Sequence, residues 1–471
     1  MLRLPELLPR LFTYCLLFTI AISPMVFATP RYLAYGVGYI VYHGSYPMGM
    51  SYISFDQYYV YDYDHDGERE VFVFLKNQVS YGTGIRGGLL VLNSSGVEVF
   101  RPFTGFVPFN IVCLGNRIVV VGYVYREGSL FDIVAIKAYL LDQRFREIMS
   151  TSYNISARAL SLISPPPLTI LGPNKLLFTV YNINNGTELY LLTIYSGNMV
   201  LERVYRVDNY IVDTRPIVLG DTIVWGPLVL SRNFSLIDDL RNGDYIALET
   251  IPYGDEVVVI TKGMDGDLVR IYATYYNVVN RHVVGRRVVI DFNRSINDKE
   301  VDIGYNTYIG RYYVFTLNYM SNRTHIFNIY WVEVYSYDIE SGNASRLHRI
   351  EHGKYYYGRY LDLFITLLSK WGGSGCRLYS IYPGYGVIGD FELPNDISPS
   401  GVGLGNLVVI DKAGSIILYV LGYSEFYIVD LGGLIPLDQS PLIHLVLIVA
   451  MIMFLLRRRV SIKKILCRGK L

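Results

Sequence analysis

The feature that most constrains this chain is a turn that keeps returning. An apolar residue, a glycine and, within two positions, a polar residue precede a β-rich run at Gly115, Gly172, Gly220, Gly254, Gly310, Gly358 and Gly405, and an Asp-Gly turn at Gly67 opens the series. The intervals run from 34 to 57 residues and average about 48. Between them lie short runs of β-branched and aromatic residues bounded by polar turns, among them EVFVFL (70–75), NRIVVVGYVY (116–125), ELYLLTIY (188–195), DEVVVITK (255–262) and NLVVIDK (406–412). Such runs read as strands. No window between residue 32 and the C-terminal apolar stretch keeps a helical period over three turns.

One four-stranded antiparallel sheet cannot bury both of its faces. Sheets stacked around an axis bury them against one another, and closing the ring protects the ends of the array. Eight recurrences therefore predict an all-β fold, a seven- or eight-bladed β-propeller over residues 29–434, with one blade shared between the two ends of the chain. Two β-sandwich domains are the competing arrangement, because they also place strands every 8 to 12 residues or so. The interval of 34 residues after Gly220 barely holds four strands. The segment 157–169, with Pro165-Pro166-Pro167, reads as an insertion or linker.

The ends of the chain differ from its middle. Arg3 and Arg10, the apolar stretch Leu11–Ile22 and Val26-Phe27-Ala28 predict a signal peptide over residues 1–28, cleaved after Ala28; an uncleaved anchor is the alternative. PLIHLVLIVAMIMFLL (441–456) is slightly short for a bilayer, and residues 435–456 together with the stems of Arg457–Arg459 complete a single C-terminal transmembrane helix. The last fifteen residues, 457–471, hold seven Lys or Arg and no acid, which predicts a cytoplasmic tail and an extracellular middle. The net charge of +1 hides this division. Without the two ends the chain is acidic, which argues against nucleic acid as a partner.

Seven N-x-[ST] sequons, at Asn93, Asn154, Asn185, Asn233, Asn293, Asn322 and Asn343, all fall in the expected extracellular part and read as glycosylation sites. The same part holds two cysteines, Cys113 and Cys376, which either form one disulfide across a long loop or stay free.

One segment carries sharp chemistry. YDYDHDGEREVFVF (61–74) places carboxylates at Asp62, Asp64 and Asp66, a glycine at 67 for a sharp turn and Glu70 at the start of a strand. Alternating side chains of a tight loop can converge on one point, the Glu68 carbonyl can join them, and oxygen-only ligands suit Ca2+. Without an ion the segment would be an empty acidic hairpin turn. It is not an EF-hand, whose twelfth position needs Glu and here is Val73.

D-x-D-x-D-G-x-x-E followed by an apolar strand resembles the calcium loops of FG-GAP or integrin-alpha-like propeller repeats, and the recurring glycine turns look like those of PQQ-like and WD-like propellers. The resemblance implies a surface protein of archaeal type in recognition or scaffolding, with Asp62, Asp64, Asp66 and Glu70 as side-chain ligands. Elsewhere only fragments persist, DLRNGD (239–244) and DGD (265–267), so one Ca2+ is expected.

Other motifs fail on context. HRIEH (348–352) matches a zinc pattern that needs a helix, yet it lies between SGNASR and GKYYYG in a strand-and-turn setting. GYGVIG (384–389) follows Pro383 and opens no helix that could receive a nucleotide's phosphates. Tyr355-Tyr356-Tyr357 reads either as packing between blades or as part of a glycan-binding groove. The expected function is a membrane-anchored extracellular propeller for ligand recognition, adhesion or envelope scaffolding, with cell-surface glycans or envelope proteins as partners. The alternatives are a membrane-tethered enzyme acting on glycans or peptides, and an accessory subunit of a membrane complex. No catalytic group can be assembled from the sequence.

Overall fold

The computed structural model describes residues 32–34, 39–52, 59–77, 85–127, 129, 132–158, 166–182, 186–296, 299–321, 329–369, 375–393, 395–397, 405–412, 415–432 and 434–436. They belong to two compact units. In one, Tyr32–Ala34 pairs antiparallel with Leu434–Pro436. The other spans residues 37–431 and, apart from a 3-10 turn at Pro47–Gly49, its elements are strands.

In the larger unit the chain winds up and down through successive sheets. In the first, Ser51–Tyr52 and Tyr59–Tyr61 both pair with Glu70–Lys76, and Ile85–Asn93 and Gly96–Thr104 follow. The second comprises Phe106–Leu114, Arg117–Tyr125, Asp132–Asp142 and Glu147–Arg158. Further sheets run from Thr169–Gly172 to Met199–Val207, from Ile217–Leu219 to Leu236–Asp239, from Asp244–Tyr253 to His282–Asn293 and from Lys299–Ile309 to Asn343–Glu351. The last sheet is eight-stranded. One half runs from Lys354–Tyr360 to Gly386–Glu392; the other comprises Gly405–Lys412, Ser415–Leu421 and Glu425–Asp430, completed by Tyr39–Ser45 from the far end of the chain. The halves join in parallel where Tyr356 meets Gly405 and Tyr357 meets Asn406.

The apolar cores between these sheets close a cycle. Phe72, Leu89 and Phe106 join the first sheet to the second, and Phe109, Phe178 and Tyr190 join the second to the third. Trp225, fully buried against Leu177 and Leu189, carries the next interface and donates its Nε1–H to Thr179 Oγ1 at 2.9 Å. Val224 with Val257, Phe315 with Ile260, and Tyr357 with Val334 continue the series. Val73 and Leu90 then pack on Val408 and Tyr419, which returns the path to its start. At several interfaces like strands are neighbours: Asp244–Tyr253 lies beside Lys299–Ile309, and Glu147–Arg158 beside Met199–Val207. This is a β-propeller, in which each sheet hides the apolar face of the next. The pairing of Tyr39–Ser45 with Glu425–Asp430 is the blade shared by the two ends of the chain.

The recurring glycine has a common structural cause at most of its positions. Gly67, Gly115, Gly172, Gly220, Gly254 and Gly310 all lie at the link between the first and second strands of a sheet. Gly358 and Gly405 do not. Gly358 lies within Lys354–Tyr360, where a Cβ would stand 2.4 Å from the Leu407 carbonyl oxygen, so glycine there permits two first strands to touch. The short interval after Gly220 still holds four strands, because three of them, Thr222–Trp225, Leu228–Ser231 and Leu236–Asp239, are only four residues long, before Asp244–Tyr253 begins the next sheet.

Several sequence expectations fall elsewhere. The signal peptide (1–28), most of the transmembrane helix (435–456) and the tail (457–471) lie outside the described residues. Among the described residues no helix is long and apolar enough to cross a membrane. Ile435 and Pro436, at the start of the expected span, pair as strand with Leu33 and Tyr32. The proline-rich segment is tied down at Asn110, whose Nδ2 donates to the Pro166 carbonyl at 2.7 Å and whose Oδ1 accepts from Leu168 N–H at 3.1 Å. Cys113 and Cys376 are free thiols, so the bridge offered as one alternative is not formed. They occupy different sheets, Cys113 against the core between the first and second and Cys376 bonded to the Ile397 carbonyl at 2.9 Å.

Candidate metal centre

The acidic loop links Tyr59–Tyr61 to Glu70–Lys76, with Tyr61 opposite Glu70. His65 at φ 64° and Gly67 at φ 91° are left-handed and turn the chain back on itself. Two successive Asx turns stiffen it: Asp64 Oδ1 accepts from Asp66 N–H at 3.2 Å, and Asp66 Oδ1 from Glu68 N–H at 2.7 Å.

Carboxylate oxygens of Asp62, Asp64 and Glu70 lie within 4.8 Å of one another. Oxygens on opposite sides of a Ca2+ ion with bonds of about 2.4 Å stand about 4.8 Å apart, so the spacing of the three is in the range of oxygens that share one ion. Glu70 is 1% exposed and accepts from Tyr63 N–H at 3.3 Å. Burial, with the Glu98, Asp64 and Asp66 carboxylates around it, pushes its carboxyl up to about 7 against the opposing pull of the Tyr63 amide. Asp62 Oδ1 is buried with no hydrogen-bond partner among the described residues. A shielded carboxylate beside an unsatisfied one is an arrangement that a cation relieves.

Of the five residues expected at the site, the structure groups three. Asp66 is exposed, and one of its oxygens is bound to the Glu68 amide. The Glu68 carboxylate is drawn away by Lys412, 2.7 Å distant, and accepts from the Ser94 hydroxyl at 3.4 Å. Beside them Asp66, Glu68, Arg69, Ser94, Lys412 and Tyr419 line a cleft of about 220 Å³. Reasoning along the sequence missed the support behind the loop. Tyr63 donates its hydroxyl to Glu98, packs edge-on against Phe72 and Phe145 at 5.7 and 5.3 Å, and accepts at its carbonyl from Gln143 at 3.0 Å. The buried tyrosine in the middle of the acidic run was the one available signal.

The acidic fragments elsewhere pair with arginine instead. Asp239 bonds Arg241 at 2.5 Å, Asp244 faces Arg286 at 3.6 Å, and Asp265 faces Arg270 at 3.7 Å. His348 lies on the strand Asn343–Glu351 against Tyr379, with burial lowering its pKa, while His352 sits in a left-handed turn beside Tyr330. Gly384–Gly389 is a turn running into the strand Gly386–Glu392. Tyr355, Tyr356 and Tyr357 are buried, which decides for packing over a ligand groove. Asn93, Asn154, Asn233, Asn293 and Asn343 are described, whereas Asn185 and Asn322 lie outside the described residues.

No protein-family model matches the sequence, and no curated protein matches it. Among solved structures the chain is similar to the Dos1 propeller, with 10% identity, a TM-score of 0.52 and coverage of 83% of this chain and 95% of that one. That likeness shows the fold alone. The WD40 domain of SCAP from fission yeast (10% identity, 83% and 94% covered) and hydrazine synthase from Kuenenia stuttgartiensis (11% identity, 67% and 92% covered) both align with a TM-score of 0.36.

Proposed function

We propose that the chain is an exported, membrane-anchored recognition propeller of eight blades whose first blade is ordered by one Ca2+ ion. Counting the two halves of the eight-stranded sheet separately supports that number. Asp62, Asp64 and Glu70 would hold the ion, with the Glu68 carbonyl as a further ligand from the same loop; the ion's role is to neutralise the buried carboxylates and fix the turn. The observation that carries this reading is the convergence of three carboxylates within 4.8 Å, one of them on a residue 1% exposed. The apolar segments at residues 11–22 and 441–456 and the basic residues 457–459 support export and a single-pass anchor. A propeller scaffold suits recognition because its rigid sheets present variable turns. The loop borders the 220 Å³ cleft through Asp66 and Glu68, so ordering it shapes one wall of a place where a small polar ligand would sit.

The test is thermal melting of the purified protein with 1 mM Ca2+ and with chelator. Calcium raises the melting temperature of the wild type, and Asp64→Ala removes the difference. Coincident melting curves for the wild type in the two conditions would end the metal reading.

A further inference from the structure

The sequons have a common place in the fold. Asn154 lies within the fourth strand of its sheet, Asn293 ends a fourth strand, and Asn343 begins one. Asn93 ends a third strand at the turn into the fourth, and Asn233 lies in the turn between a third strand and a fourth. All five described sequons thus sit on the outermost strand or at the turn that leads into it, and Asn154, Asn233, Asn293 and Asn343 are exposed. In Asn233-Phe234-Ser235 the Ser235 hydroxyl donates to Asn233 Oδ1 at 2.9 Å, which polarises the acceptor amide.

Outermost strands are also where the fold is vulnerable, because their outer backbone groups have no partner strand and they template pairing with other chains. Four of them expose large apolar side chains between 42% and 52%: Gly96–Thr104 through Val97, Glu147–Arg158 through Ile148, Leu236–Asp239 through Leu236, and His282–Asn293 through Val283, Val284 and Val288. Each of these four has a sequon within it or within three residues of its start. Met199–Val207 exposes Val200 without a sequon and carries Glu202, Arg203 and Arg206 instead, a charged guard of the ordinary kind. Tyr39–Ser45 also lacks one; it exposes Val41 at 41% and Tyr39, whose hydroxyl is tied to Asp430 at 3.0 Å, and is the one apolar outer edge left without a sequon or a charged guard among the described residues.

We propose that N-linked glycans cap the apolar outer edges of the propeller, so that the rim is a shielded surface and partners approach elsewhere. The inference rests on the exported reading. In the modification each asparagine Nδ2 loses one proton and bonds C1 of the sugar as the C1–O bond to the donor breaks, the co-reactant being an oligosaccharide carried on a lipid pyrophosphate, which leaves with the electron pair. Full-chain protein isolated from its own cells is analysed by peptide mass spectrometry, with glycan mass expected on the peptides of Asn154, Asn233, Asn293 and Asn343. Enzymatic removal of the glycans from the folded protein is then expected at least to double its mass in light scattering as concentration rises. Adding Val284→Lys to the deglycosylated protein lowers that association. Bare asparagines on an ectodomain that external protease digests overturn the glycan proposal alone, and an ectodomain inaccessible to protease overturns the export reading with it. Glycans whose removal leaves a monodisperse protein overturn the capping role.

Discussion

Replacing Glu70 by glutamine separates the metal reading from a structural one, because the two predict opposite signs. Glu70 keeps its size and its place opposite Tyr61 in this variant and loses only its charge. In the metal-free protein above pH 7 the buried carboxylate is ionised at a cost, since burial pushes its pKa from the ordinary 4.5 up to about 7. At about 1.4 kcal/mol per unit, that difference sets an upper bound of about 3 kcal/mol on what Glu70→Gln returns to the metal-free fold. Calcium acts the other way. An ion at one hundred times its dissociation constant stabilises the wild type by about 2.7 kcal/mol. For a chain of this length each kcal/mol moves the midpoint by roughly 1 °C.

Differential scanning calorimetry in chelator should therefore place Glu70→Gln about 1 to 3 °C above the wild type. In calcium the order reverses, since the variant has lost a ligand. The pH dependence has a definite sign. With its folded pKa raised, Glu70 binds its proton more tightly in the folded state, so the metal-free wild type loses stability as pH rises from about 4.5 through 7, and the variant lacks this fall. If Glu70→Gln melts below the wild type in chelator, the carboxylate is a structural hydrogen-bond acceptor and the argument from its burial is refuted.

Two further outcomes follow from the packing. Gly358→Ala forces a Cβ against the Leu407 carbonyl and should cost several kcal/mol, on the order of a core overpacking or more, seen as lost soluble yield or a large fall in melting temperature; a normally stable variant would contradict the close approach of the two strands. Burial pushes the Cys113 thiol up to about 12 and the Cys376 thiol up to about 11, so neither should react with iodoacetamide at pH 8 in the native protein, both should react after denaturation, and oxidising and reducing gels should show the same mobility.

Much of the fold was legible because its cause is local and repeats. The turn after the first strand takes a left-handed glycine at much the same place in four sheets, and Gly115, Gly220, Gly254 and Gly310 record it with φ between 55° and 60°. Gly358 kept the spacing for a different reason, the contact with Leu407, so the sequence period there coincided with the structural one without sharing its cause. The loop motif located Asp62, Asp64 and Glu70 because their convergence is built within ten residues of chain. The fate of Glu68 was not legible, since Lys412 lies 344 positions away and becomes a neighbour only when the ring closes. The same holds for Cys113 and Cys376, whose types and count fit a bridge or two buried thiols equally well until each is placed in its own sheet.

The latch made by Tyr39–Ser45 has a temporal consequence. Three strands of its blade are among the last parts of the unit to be synthesised and the fourth is among the first, so the N-terminal strand waits roughly 20 to 80 s for its partner at ribosomal rates of about 5 to 20 residues per second. Throughout that wait the nascent molecule is an open arc with two sticky faces, Val73 and Leu90 on one flank and the growing edge on the other. A binder of exposed apolar segments during synthesis, or passage across a membrane still unfolded, is how such a molecule would reach its closed state without first joining a neighbour.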